Sequence, residues 1–191
     1  MSLHAAPPPF SAVLLAGGRS TRMGRDKAGL VIAGTPLWQI QIEKLRVLGP
    51  AGLFISGRRG GPYEGSGVEI VEDAIPGLGP LGGIAAALTR AQTPRVLVLA
   101  IDLPAITPEF LAALLRTETA VVPRDADAFE PLAAIYPKSA LTIAEEMLRE
   151  EDRSMQRFVR RLIDAQLAQA RMLSADETRL FKNLNQPGDL G

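Results

Sequence analysis

Apolar residues along this chain fall into short unbroken runs and staggered sets, separated by glycine-rich and polar stretches. Residues 12–16 (AVLLA) form a run that stops at Gly17-Gly18, as a buried strand does when it leaves a sheet. After Thr35-Pro36, which reads as a cap and a first-turn proline, Trp38, Ile42, Leu45 and Leu48 recur at helical spacing and stop near Gly49-Pro50. Residues 53–56 and 68–71 read as the second and third strands, with a glycine-rich loop over 57–67 between them. Small apolar residues over 81–91 suit a closely packed helix. The nearly continuous aliphatic run 95–101 has the pattern of a central parallel strand covered on both faces. Thr107-Pro108-Glu109 opens a helix that runs through Leu115.

The second half is less regular. Residues 119–123 and 131–136 read as strands, and Leu141, Ala144, Met147 and Leu148 mark a helix. Met155, Phe158, Val159, Leu162 and Ile163 trace an apolar stripe on another helix, whose opposite face carries Arg157, Arg160 and Arg161. Residues 174–177 (SADE) fit a capping box for a short helix before Phe181. The alternation predicts an α/β fold: a mostly parallel, doubly wound, Rossmann-like sheet with helices on both faces. The expected organisation is a flexible tail over residues 1–10 and a single domain over 11–191.

In open parallel sheets, ligands bind beyond the carboxyl ends of the strands. Three polar clusters, at 17–27, 72–83 and 102–104, follow three of the expected parallel strands, so they should share one sheet edge and meet in one cleft.

Composition narrows the chemistry of that cleft. Lysine plus arginine equals aspartate plus glutamate, at 21 each, so the net field does not point to nucleic acid or an anionic membrane. The chain has no cysteine, which excludes thiolate metal sites and thiol nucleophiles, and its one histidine, His4, lies in the proline-rich start. No apolar run reaches the roughly 18 residues of a spanning helix, so a cytoplasmic enzyme is expected. Hard oxygen ligands, cations and backbone dipoles remain, a set suited to magnesium-assisted chemistry on phosphate.

Residues 15–27 (LAGGRSTRMGRDK) combine exposed backbone N–H groups at two glycines with three arginines and a lysine, which answers a triphosphate. Lys27 and Arg22 would contact it and stabilise charge on the leaving group. Asp102, at the tip of the most apolar strand, would hold magnesium while water and phosphate fill its other positions; capping a turn before Pro104 is the alternative reading. Asp73, also at a strand end, would touch the nucleotide or the metal's water shell, or else be a solvated turn residue. Residues 77–82 (GLGPLG) formally match the glycine fingerprint of dinucleotide-binding folds. That fingerprint needs its glycines at the strand's own turn, and here residues 72–76 intervene. The segment reads instead as a turn closing over a base or ribose.

The 15–27 loop resembles that of the molybdenum cofactor guanylyltransferases, the MobA-like nucleotidyltransferases. The likeness continues at residues 79–84 (GPLGGI), 102–104 (DLP), 130–132 (EPL) and 183–190 (NLNQPGDL), in the same order. The resemblance implies transfer of GMP from GTP to the terminal phosphate of molybdopterin, with Mg2+ as cofactor, and molybdoenzymes or cofactor-biosynthesis proteins as further partners. Carried over by position, Leu15, Ala16, Gly17 and Gly18 would hold the nucleotide, Lys27 would contact its phosphates and Asp102 would bind the metal. Asp73 and Gly79 would line the nucleotide pocket, and Ser56 stands where an asparagine can help read the base. Arg153, Asn183 and Asn185 would bind or orient the pterin. The alternatives are a cytidylyltransferase on the same cofactor, a sugar-phosphate nucleotidyltransferase, and a non-catalytic adaptor that docks through the arginine-bearing helix face.

Overall fold

The computed structural model describes residues 8–17, 27–72 and 77–182, with the backbone alone at Lys27. In chain order, β1 (Phe10–Leu15) is followed by a single 3₁₀ turn, Lys27–Gly29, and by the small hairpin of β2 (Val31–Ile32) and β3 (Thr35–Pro36). Then come α1 (Leu37–Arg46), β4 (Gly52–Ser56), β5 (Glu69–Val71), α2 (Pro80–Arg90), β6 (Arg95–Ala100) and α3 (Pro108–Leu115). The second half contributes β7 (Val121–Arg124), β8 (Ala133–Pro137), α4 (Ala140–Leu148), α5 (Met155–Asp164), β9 (Gln169–Met172) and the short α6 (Ala175–Thr178).

One five-stranded sheet organises these elements in the order β5-β4-β1-β6-β8. The first four strands are mutually parallel, and β8 closes the edge antiparallel to β6. Residues alternate across this sheet because successive side chains on a strand point to opposite faces. Ala12, Leu14, Leu97, Leu99 and Ile135 pack with Leu37, Ile42 and Leu45 of α1 and with Phe110, Leu111 and Leu114 of α3. Val13, Leu15, Val96, Val98 and Tyr136 pack on the other side with α2, α4 and α5. Every residue of β6 is buried, as its aliphatic run requires. This is the α/β architecture expected, with helices on both faces.

The chain's order decides where the sheet splits. From β1 it winds outward through α1 to β4 and β5, then returns by α2 to lay β6 on the other side of β1. The winding therefore reverses between β1 and β6, at the place where open α/β sheets leave a crevice.

Several local expectations shift. Thr35-Pro36 is strand rather than cap: both residues pair with β2, and α1 begins at Leu37 without a side-chain cap. The strand expected over 119–123 runs Val121–Arg124, and β9, which carries no alternating pattern because it is largely exposed, pairs parallel with it. Phe10 is already in β1, and the Pro8 carbonyl accepts from Arg95 Nε at 3.2 Å and Nη2 at 2.9 Å. The capping signals hold elsewhere: Thr107 Oγ1 accepts from Phe110 N at 3.3 Å, and Ser174 and Glu177 form the reciprocal box.

Candidate active site

The parallel registers pair Leu15 with Ser56, Ser56 with Val71 and Leu15 with Ala100. These four residues form a row across the sheet, so the carboxyl ends of β1, β4, β5 and β6 stop level with one another. The exit segments of all four strands project from the same edge: Ala16-Gly17 after β1, Gly57 after β4, Glu72 after β5 and Ile101-Asp102 after β6. Three of the exits are laced together by main chain. Ala16 N and Gly17 N both donate to Ser56 O at 2.9 Å, Gly57 N donates to Val71 O at 3.1 Å, and Ile101 N donates to Leu15 O at 3.1 Å.

The helix that ends on this edge is α2. Its N-cap is Gly79, at φ 69° and ψ −163°, a region that essentially only glycine occupies. Pro80 follows at the first turn, and the helix start has neither a side-chain cap nor an acidic residue. Among the described residues no side chain caps this start, and the positive end of its dipole faces the edge, which suits an anion. Gly83, one turn in, lets the helix approach the strands: a Cβ there would lie 2.3 Å from Ser56 Oγ and 3.1 Å from Leu15 Cδ2. Ser56 is only 3% exposed, its side chain turned under α2 and its carbonyl holding Ala16 and Gly17.

The glycine-rich loop after β4 folds over a buried aromatic ring. Tyr63 is 1% exposed, and a Cβ on Gly57 or Gly61 would come within 1.9 Å or 2.6 Å of it. Glu72, at the end of β5, is tied to Arg59 through its backbone N–H and its guanidinium, both at 3.1 Å. Asp73, the next residue, lies outside the described residues, as do Gly18, Arg22, Asn183 and Asn185. For Lys27 the backbone opens the 3₁₀ turn, and the next residue, Ala28, is fully buried in the layer that α1 covers.

Asp102 is half-buried at the tip of β6. The loop that carries it is fastened from α1, by a residue to which sequence patterning assigned no role. Gln41 is fully buried and its Nε2 donates to Ala100 O at 3.2 Å and to Leu103 O at 3.1 Å, while Lys44 Nζ donates to Pro104 O at 2.6 Å. Burial holds the Lys44 ammonium below its ordinary pKa. The signal for Gln41 was there: a polar residue four positions from both Leu37 and Leu45, in the middle of the apolar stripe.

The motif at residues 130–132 reaches the same edge through β8. Because β8 runs antiparallel to β6, its start lies beside the end of β6, and Ala100 N donates to Leu132 O at 2.7 Å. Just upstream, the Gln156 side chain of α5 brackets Phe129, accepting from its N–H at 3.0 Å and donating to its carbonyl at 2.8 Å. Glu130 is half-buried between these attachments, and desolvation, with the nearby Asp125 charge, raises its pKa. Arg153, exposed in the turn before α5, donates from Nε to Leu148 O at 3.1 Å, three residues before Gln156.

The arginine face of α5 is largely neutralised within the chain. Arg161 meets Glu146 at 2.6 Å and Glu150 at 2.9 Å, and Arg157 meets Glu150 at 2.5 Å. A separate cavity of about 310 Å³, walled by Pro8, Arg95, Glu118 and Gln169, opens at the amino end of β6, away from Asp102.

The donor set bears on which metal could sit at the edge. Among the described residues no group of three histidine, cysteine, aspartate or glutamate side chains could enclose an ion. Asp102 would offer a single carboxylate on the edge where α2 also starts, a donor set that would suit a cation taking its remaining ligands from phosphate and water. Among the described residues, too, no helix is long and apolar enough to cross a membrane.

Comparison with known proteins agrees with this geometry. Residues 12–169 match the family model described as the MobA-like NTP transferase domain. A probable molybdenum cofactor guanylyltransferase of Opitutus terrae is 42% identical over 187 residues, covering 94% of this chain and 92% of its own length. A molybdenum cofactor guanylyltransferase of Yersinia pseudotuberculosis is 33% identical, covering 95% and 93%. The solved molybdopterin-guanine dinucleotide biosynthesis protein A of Archaeoglobus fulgidus superposes with a TM-score of 0.77 at 27% identity, covering 95% and 94%. A cytidylyltransferase of Thermus thermophilus acting on 2-C-methyl-D-erythritol 4-phosphate shares the fold alone, with a TM-score of 0.66 at 18% identity over 93% and 94% of the two chains.

Proposed function

The chain belongs to the MobA-like NTP transferase family, and from that premise we propose that it transfers GMP from GTP to the terminal phosphate of molybdopterin, releasing pyrophosphate. An oxygen of the molybdopterin phosphate attacks the α-phosphorus of GTP, the bond from that phosphorus to the α,β-bridging oxygen breaks, and the electron pair leaves with pyrophosphate. The observation that carries this reading is the level row Leu15, Ser56, Val71 and Ala100, which puts the exit of the glycine loop and Asp102 on one edge.

The attacking phosphate is already an anion at neutral pH, so the site needs no strong general base, and a chain whose one histidine lies at position 4 lacks nothing essential. The work is to bring two anions together in line and to neutralise them. Ala16 and Gly17 present backbone at the crevice, Gly79 and the open start of α2 receive phosphate, and Lys27 and Arg22 add positive charge. Asp102 holds a divalent cation, Mg2+ in our reading, which when bound withdraws charge from the phosphates. Gly18 and Asp73 complete the nucleotide pocket. Ser56 forms its floor, since its side chain is spent on packing against Gly83. Arg153, Asn183 and Asn185 receive the pterin.

The test is to incubate the protein with Mg2+, molybdopterin and each of GTP, CTP, ATP and UTP, and to measure pyrophosphate. Release with GTP alone is expected. Release with CTP instead would assign the cytosine form of the cofactor, and GTP binding without any release would leave a carrier.

A further inference from the structure

The loop 100–104 has two main-chain closures of its own: Leu103 N to Ala100 O at 3.4 Å, beyond the usual N–H···O range, and Ile106 N to Leu103 O at 3.2 Å. A second fastening comes from α1. Both amide hydrogens of Gln41 go to the two carbonyls that flank Ile101-Asp102, and Lys44 takes the next one at Pro104. This fastening leaves Gln41 Oε1 buried without a hydrogen-bond partner, a group whose burial costs stability. Neither carbonyl depends on Gln41 for a partner, because each keeps a main-chain donor. A residue retained for stability alone would be apolar here, between Leu37 and Leu45 on a buried stripe.

We propose that Gln41, with Lys44, is a positioning residue for Asp102: the α1 amide fixes the turn at the tip of β6, so that the carboxylate meets a cation–triphosphate complex already in place. The proposal rests on the reading of Asp102 as the ligand of the divalent cation. Residues that orient a metal ligand in this way commonly change metal affinity or rate by about 10–100-fold when replaced.

The variants are Gln41→Met, which keeps the volume and removes both the donor and the orphaned acceptor, and Lys44→Met, made separately. Three quantities are measured on each full-length protein: the thermal midpoint, Mn2+ binding with GTP by the enhancement of water-proton relaxation over that of Mn2+–GTP alone, and pyrophosphate release as Mg2+ is varied. For Gln41→Met we expect a thermal midpoint no lower than the parent's, Mn2+ binding weakened about tenfold, and kcat lowered with little change in the KM for GTP. Lys44→Met should change binding and rate in the same direction by a smaller factor, and it serves alone should Gln41→Met fail to fold. Parent-like Mn2+ binding and rates in folded variants overturn the proposal. Weakened Mn2+ binding with no pyrophosphate release, even from the parent, sustains the positioning role and overturns guanylyl transfer. A parent that binds no Mn2+ with GTP overturns both.

Discussion

The amide nitrogen of Ile101 donates to the carbonyl oxygen of Leu15 at 3.1 Å. That bond extends the β1–β6 ladder by one step past its last paired residues and sets the residue before Asp102 beside the residue before Ala16. Two segments 86 positions apart are thereby fixed at one point of the sheet. On the proposed reading the crevice needs this, because a cation at Asp102 would serve only where phosphates at the Ala16-Gly17 exit could share it.

Asp102→Asn should leave the thermal midpoint close to the parent's and lower pyrophosphate release at saturating Mg2+ by roughly 100-fold or more, the scale of losing several kcal/mol of charge stabilisation. Steady-state rates across a Mg2+ titration check this. Parent-like turnover would remove Asp102 from the metal site.

Gly83→Ala should destabilise the chain by about 1–3 kcal/mol, the usual cost of overpacking, and weaken GTP binding. Its new methyl would press on Ser56 and Leu15 and push the start of α2 off the strand ends. Adding Ser56→Gly removes the nearer obstacle, so the double variant should recover much of the loss. Denaturant midpoints and GTP titration calorimetry on the single and double variants give the comparison.

Glu130 predicts a pH dependence. Its folded pKa lies above the ordinary glutamate value of 4.5, through desolvation first and the Asp125 charge second. Between those two values the folded chain binds more protons than the unfolded one, so this group makes stability fall as pH rises through the window and contributes no penalty below it. Glu130→Gln should flatten that part of the curve of thermal midpoint against pH and raise the midpoint at neutral pH. An unchanged slope would show that Glu130 ionises as freely in the fold as out of it.

Arg95→Met should cost about 2–4 kcal/mol of stability without altering kcat well below the melting temperature. Arg95 is 4% exposed, and its guanidinium donates to three carbonyls, those of Pro8, Leu115 and Thr117. They lie at the opposite end of β6 from Asp102. Urea denaturation and pyrophosphate release, measured side by side, separate the two effects.

The nearly continuous apolar run of β6, the shorter runs of β1 and β4 and the 3.6-residue spacing of α1 and α5 were all legible, because burial on two faces leaves a run and burial on one face leaves a period in the sequence. Local capping was legible where a side chain closes on its own turn, as at Thr107 and Ser174. Thr35-Pro36 misled because a partner strand three residues away satisfied its backbone instead, and an exposed strand such as β9 leaves no period to read.

By itself, then, the amino-acid order determined the strands of the central sheet, the helices that cover it, and which loops carry glycine, cation and carboxylate. That much comes from chemistry between near neighbours. Only the tertiary structure decided that β8 runs antiparallel and brings Glu130 to the edge of Asp102, that Ser56 is consumed by Gly83, and that Gln41 fastens the Asp102 turn. Each of these is a contact between residues 27 to 62 positions apart; local spacing marks Gln41 as a polar break in an apolar stripe, but the partner reached over such a separation is not written in it.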